Sequence, residues 1–145
     1  MCFTVYISTN TIQKVNTFTS GETYLFLEEL TNEKEVIGLK KKFTKNYIYY
    51  VGSYQGCGCG FSYDPLEEIV EDEEDEKTKK SVEALITLVS KLTQNDNLEF
   101  YCCWDGDWED EITNNKELNI NNISLGNYFG LNEREFINFK NQSAA

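Results

Sequence analysis

The chain has no histidine among its 145 residues. Histidine is the side chain that most often serves as a general base at neutral pH, and it is a common zinc ligand. A Ser-His-Asp or Cys-His mechanism within this chain is therefore excluded. Apolar runs are short as well: none approaches the roughly 18 residues that a membrane-spanning helix needs. We therefore expect no membrane association.

Basic residues are scarce. The chain has 13 Lys and Arg residues against 25 Asp and Glu residues, which gives a formal net charge of -12. A surface this acidic repels phosphate backbones, so we expect no nucleic-acid ligand. The same charge favours encounter with a basic protein, or it keeps the chain soluble.

Export and disulfide signals are also missing. The first residues, MCFTVYIST, have no basic segment and alternate like a strand, so they do not predict a secretory signal. An odd number of cysteines without such a signal predicts reduced thiols rather than a disulfide framework. We therefore expect a cytoplasmic protein. The five cysteines are Cys2, Cys57, Cys59, Cys102 and Cys103.

The stretch from residue 47 to residue 63, YIYYVGSYQGCGCGFSY, is the one around which the rest of the chain is organised. Its aromatic and β-branched residues predict a buried strand over residues 47–54. Three interleaved glycines then predict a tight turn that carries Cys57 and Cys59. We expect Phe61 and Tyr63 to begin the return strand of a hairpin.

Apolar patterns predict further strands at 2–9, 23–30, 98–104 and 136–140, and a loop with an extended segment at 114–127. A helix is the alternative for 23–30 and, with Asn132 and Glu135 as caps, for 136–140. Asn32 to Lys34 is interpreted as a turn. The run Lys40-Lys41-Lys42 is interpreted as a strand edge protected by lysines, in preference to an anion site.

One long helix is predicted over about residues 75–93. Its apolar residues recur at the spacing of an amphipathic helix that lies on a sheet; they are Val82, Leu85, Ile86, Val89 and Leu92. Asp64-Pro65 predicts an earlier helix start. The acidic segment 67–76 is interpreted as a mobile loop or the solvated start of a helix, with a lure for a basic partner as the alternative.

These elements predict one α+β domain over residues 1–145. We expect a mostly antiparallel sheet of about five strands, with the helix at about 75–93 packed on one face.

The cysteines are the first candidate site. Cys57 and Cys59 lie on one face of an extended chain, and strands carrying Cys2 and Cys102 or Cys103 could flank them. Three or four sulfurs at one sheet edge would make a tetrahedral zinc site that needs no histidine. Cysteines that pack in the core or in the turn are the favoured interpretation, and a redox-active CxC dithiol is a further alternative.

The second candidate site is the segment WDGDWEDE, residues 104–111. It places Asp105, Asp107, Glu109 and Glu111 at alternate positions, which suits a hard cation such as Mg²⁺ or Ca²⁺. The favoured interpretation is a solvated hairpin tip with Trp104 and Trp108 packed back on the sheet.

Three motifs carry a resemblance over most of the chain. The opening MCFTVYIST, the central YYVGSYQGCGCGF and the later CWDGDW together resemble a family of small bacterial proteins with no assigned activity. Because the motifs contain them, the resemblance implies that Cys2, Cys57, Cys59 and Cys103 belong to one site. It supplies no catalytic residue.

For function, the charge, the small size and the missing histidines predict a non-enzymatic acidic binding module, of the immunity or antitoxin type, that binds a basic protein. The alternative is a cysteine-ligated zinc domain, structural or sensory, centred on Cys57 and Cys59. A third hypothesis is an enzyme that uses thiol-redox or carboxylate-metal chemistry.

Overall fold

A six-stranded sheet forms the centre of the protein. The computed structural model describes residues 2–61, 73–123 and 132–141, with the side chains of residues 73–75 excepted. The strand order is β2-β3-β1-β4-β6-β5. All neighbours are antiparallel except β5 and β6, which are parallel. The prediction of a mostly antiparallel α+β sheet is confirmed, with six strands instead of about five. The strands are β1 Phe3–Thr9, β2 Leu25–Glu29, β3 Tyr47–Ser53, β4 Leu98–Trp104, β5 Asn114–Asn119 and β6 Glu135–Lys140.

The main helix, α2, spans Glu73–Leu92, so the predicted helix is confirmed. Its buried Leu85 and Val89 pack on one face of the sheet, against Val5 and Ile7 of β1. Burial of this apolar stripe, more than helix propensity, is what holds such a helix in place. No helix in the described ranges is long and apolar enough to span a membrane.

A second helix, α1 at Glu33–Lys40, lies on the opposite face, where Leu39 packs against Tyr6. The predicted turn at residues 32–34 and lysine-protected strand edge are therefore wrong. Asn32 Oδ1 accepts the backbone N–H groups of Lys34 (3.0 Å) and Glu35 (3.3 Å) and so caps the helix. The lysine run follows at the helix C-terminus, where positive charge is favourable.

The glycine-cysteine segment does not form the predicted hairpin. β3 pairs with β1 and β2, and Gly58–Phe61 form a 3-10 turn in place of a return strand. Tyr63, the Asp64-Pro65 helix start and residues 67–72 of the acidic segment lie outside the described residues, whereas residues 73–76 belong to α2.

The segment after β4 forms a turn but not a hairpin, because β4 pairs with β1 and β6. Gly106 has a φ of +99°, a conformation that glycine adopts without strain. Both tryptophans pack back on the sheet as predicted, on opposite faces. The Trp104 ring meets Phe3 edge-on at 5.0 Å, whereas Trp108 packs on the α1 side against Tyr6.

Candidate functional site

The face of the sheet beneath α1 is unusually polar. The α2 side is lined mainly by aliphatic and phenylalanine side chains, whereas the α1 side combines apolar side chains such as Ile48 and Phe136 with hydroxyls and a thiol. We call this surface the polar layer; its sheet residues are Thr4, Tyr6, Tyr50, Tyr101 and Cys103. Side-chain alternation along β1 and β4 places these residues together, because every second residue shares a face.

A hydrogen-bond chain crosses the polar layer. Trp108 Nε1 donates to Tyr6 Oη (2.9 Å), and Tyr6 Oη donates to Glu35 Oε2 (2.6 Å). Tyr6 is fully buried, and burial together with the Glu35 hydrogen bond raises the pKa of its hydroxyl far above the ordinary value. Tyr6 therefore stays protonated and acts as a fixed donor to Glu35.

We call Glu28, Glu35 and Asp105 the acidic cluster, because the charges of Asp105 and Glu28 act on the Glu35 carboxyl. Burial raises the pKa of Glu35, and the nearby charges of Asp105 and Glu28 raise it further. The hydrogen bond from Tyr6 acts in the opposite direction. None of the ion pairs among the described residues involves a member of this cluster. The cluster therefore concentrates negative charge without an internal cation.

We expect Glu35→Gln to raise the free energy of unfolding above that of the wild type, and we expect this gain to be larger at neutral pH than at acid pH. The folded-state pKa of Glu35 lies above its unfolded value, so the folded chain binds more protons between the two values. The free energy of unfolding of the wild type therefore falls as pH rises through that window. Glutamine has no charge to desolvate and still offers Tyr6 an acceptor.

The check is urea denaturation of wild type and variant between about pH 4 and pH 8. The advantage of Glu35→Gln should grow as the pH rises. Glu83→Gln removes the same charge from an exposed position of α2 and serves as the control. A difference between Glu35→Gln and wild type that stays constant with pH would contradict the expectation.

Tyr50 connects the acidic cluster to the cysteine turn. Burial raises the pKa of its hydroxyl, and Cys57, Cys2, Glu28 and Asp105 add to the rise through their negative charge when ionised. The hydroxyl donates to the carbonyl oxygen of Gly56 (3.3 Å). The polar layer therefore runs continuously from the cysteine turn to the acidic cluster.

Three of the four predicted site cysteines come together at this turn. Cys57 is buried, and burial raises its pKa to about 12, with the nearby thiols of Cys59 and Cys2 adding to the rise. Cys59 and Cys2 are both exposed. The Cys59 sulfur accepts a hydrogen bond from the backbone N–H of Phe3 (3.2 Å).

Cys103 has other partners. Its Sγ lies 3.5 Å from Thr4 Oγ1, and that hydroxyl donates to the carbonyl oxygen of Cys103 (2.8 Å). Burial raises its pKa to about 11, and the Lys42 charge opposes the rise. Lys42 Nζ itself donates to the Trp108 carbonyl (2.6 Å). Cys102 lies in the core on the α2 side, as expected for one of two adjacent strand residues.

The described residues include all five cysteines, and among them no three or more Cys, Asp or Glu side chains are arranged to hold a metal ion. The zinc site of Cys2, Cys57, Cys59 and Cys103 stays a prediction, and its test is the zinc content of protein purified reduced and without chelators. About one equivalent, released by Cys57→Ser, would support the site. Trace zinc that the variant does not change would contradict it.

Sequence reasoning missed the acidic cluster and its link to Tyr6. The reason is that residues 32–34 were interpreted as a turn and the lysine run 40–42 as a strand edge, so no helix carrying Glu35 was predicted. The available signal was Asn32 followed by Glu33 and Glu35, the pattern of a capped helix with acids in its first turn.

No protein-family model, curated protein or solved structure matches the chain. The resemblance of its motifs to small bacterial proteins stays a prediction. Functional interpretation therefore rests on the polar layer and on the charge of the chain.

Proposed function

We propose that the chain is a non-enzymatic binding module of the immunity or antitoxin type, which binds a basic protein through its acidic cluster. The observation that carries this proposal is the environment of Glu35. Its half-buried carboxylate lies near Asp105 and Glu28 and has no ion-pair partner among the described residues. A desolvated carboxylate beside like charges is costly, and a cation from a partner would lower that cost.

The side chains around the cluster suit arginine in particular. Tyr50 and Trp108, both partly buried, lie beside the acids, and Trp108 reaches Glu35 through Tyr6. A guanidinium group can pair with a carboxylate through two hydrogen bonds and stack on an aromatic ring. The net charge of -12 would speed the approach of such a partner and disfavour nucleic acid.

The pKa shifts in the polar layer favour binding over catalysis. Burial raises the pKa of Tyr6, Tyr50, Cys57 and Cys103, so each holds its proton more tightly at neutral pH. A nucleophilic thiol or hydroxyl usually needs the opposite shift or an adjacent base.

The two tryptophans make a direct test possible. We expect an arginine-rich peptide to shift the Trp108 indole N–H resonance in ¹H–¹⁵N NMR spectra and to leave that of Trp104 unchanged. Trp104 is the internal control, since it packs on the other face of the sheet. The same peptide with citrulline keeps the shape of arginine without its charge and should have no effect. Equal shifts of both tryptophans, or equal effects of both peptides, would contradict the proposal.

A pull-down experiment can test whether a natural partner binds through the same residues. The double variant Glu35→Gln/Asp105→Asn should lose a partner that the wild type retains at low salt. The matched variant Glu83→Gln/Glu117→Gln loses two charges from exposed positions elsewhere and should retain it. A partner held equally by both double variants would argue against the acidic cluster as the binding surface.

A further inference from the structure

The 3-10 turn at Gly58–Phe61 lies directly against the start of β1. A Cβ atom at Gly58 would lie 2.8 Å from the carbonyl oxygen of Phe3 and 2.6 Å from Val5 Cγ2, closer than real Cβ atoms come. Only glycine permits this approach. The contact fixes the residue after Gly58, Cys59, beside the first residues of β1.

Cys59 is thereby placed within reach of Cys2. Its sulfur accepts the N–H of Phe3 at 3.2 Å, and that nitrogen is bonded to the carbonyl carbon of Cys2. Standard bond lengths then put Cys59 Sγ no more than about 6 Å from the Cys2 Cα. Rotation of the Cys2 side chain about its Cα–Cβ bond can therefore turn its sulfur towards Cys59 Sγ, and small backbone shifts complete the geometry that a disulfide needs.

We infer that Cys2 and Cys59 are a modification site at which a peroxide forms a reversible disulfide. The thiolate of Cys59 attacks one peroxide oxygen, the O–O bond breaks, and the departing hydroxide takes up a proton to leave as water. The thiolate of Cys2 then attacks the sulfenic sulfur, the S–O bond breaks, and the second oxygen leaves as water. Two thiols and one hydrogen peroxide give one disulfide and two waters.

The other cysteines are protected from this reaction. Cys57, Cys102 and Cys103 are buried, and burial raises the pKa of all three thiols. The thiolate is the reactive form, so these three react slowly. A transient disulfide of this kind is compatible with thiols that are otherwise reduced.

The link would also fix one side of the acidic cluster. The carbonyl oxygen of Cys2 accepts the backbone N–H of Asp105 (2.9 Å). A disulfide at Cys2 would therefore also hold the backbone at Asp105 in place. The disulfide itself does not depend on the proposed binding function, because its formation requires no partner. Failure of either proposal therefore leaves the other standing.

The test is peptide mapping of the reduced, folded protein after treatment with hydrogen peroxide and alkylation of the remaining thiols. After trypsin cleavage, Cys2 lies in the peptide of residues 1–14, and Cys57 and Cys59 lie in the peptide of residues 46–77. We expect a cross-link between these two peptides that dithiothreitol reverses. Cys2→Ser and Cys59→Ser, both at exposed positions, should abolish it, and Cys103→Ser should not.

Cys57→Ser shows which of the two turn cysteines takes part in the cross-link. Because position 57 is buried, near-ultraviolet circular dichroism would verify that the variant is folded. The cross-link should persist in it. Three results would overturn the inference: a disulfide within residues 46–77, a cross-link that survives Cys59→Ser, or oxidation that stops at sulfenic or sulfinic acid.

Discussion

Replacing Glu99 by alanine is expected to lower the free energy of unfolding by about 3 kcal/mol. Glu99 is only 6% exposed, and its carboxylate holds the loop between α1 and β3. Oε1 accepts the backbone N–H groups of Thr44 (2.8 Å) and Lys45 (3.1 Å), and Oε2 accepts the Thr44 hydroxyl (2.9 Å). Alanine would leave these donors without their acceptor and open a cavity at the end of β4.

Equilibrium urea denaturation measures this loss, and two variants locate its cause. Glu99→Gln keeps one carbonyl oxygen and should lose roughly half as much stability. Glu83→Ala, exposed on α2, should change the free energy of unfolding by less than about 0.5 kcal/mol. A loss for Glu99→Ala no larger than that of Glu83→Ala would show that the loop does not need the carboxylate.

Gly52→Ala is expected to be the second most damaging change, with a loss of about 2 to 3 kcal/mol. A Cβ at this position of β3 would overlap two atoms of the Phe26 ring on the neighbouring strand. The ring is 2% exposed and lies between Phe18 (5.2 Å) and Tyr50 (6.1 Å), measured between ring centroids. It cannot move aside without disturbing both neighbours.

A double-mutant cycle isolates this overlap. Phe26→Leu shortens the side chain above Gly52, so Gly52→Ala should be nearly neutral in that background. The expected coupling between the two substitutions is at least about 1 kcal/mol. Strict additivity of the two losses in chemical denaturation would contradict it and would point to backbone entropy as the cause.

The periodicity of the sequence predicted the elements whose apolar residues define one face. Val82, Leu85 and Val89 recur at helical spacing, and alternation predicted β1; both elements formed as expected. Helix α1 was missed because it has too few apolar residues for their spacing to distinguish a helix from a strand. Its capping residue, Asn32, decides the conformation, and a cap is a single side chain with no periodic pattern.

The hairpin was mispredicted for a different reason. Glycines between Tyr54 and Phe61 indicate that the chain bends, but not which strand lies beside β3 after the bend. The partners of β3 are β1 and β2, both earlier in the sequence. Strand pairing at such separations depends on the packing of the whole sheet and leaves no local signal.

The site was partly predictable. The approach of Cys2 to Cys57 and Cys59 followed from the assumption that their strands are neighbours, which β1 and β3 are. The chain from Trp108 through Tyr6 to Glu35 joins residues 102 and 29 positions apart. No spacing rule connects such residues, and only the packing of α1 on the sheet brings them together.

The position of β6 between β4 and β5 means that the sheet can be completed only after β6 has been synthesised. Among the strands that the structure describes, β5 has one neighbour, β6, which is synthesised after it and inserts between β4 and β5. A nascent chain that has not reached residue 135 therefore carries β4 with one open edge and β5 with no strand to join. Until β6 has left the ribosomal exit tunnel, that open edge is a surface to which chaperones, or other nascent chains, can bind.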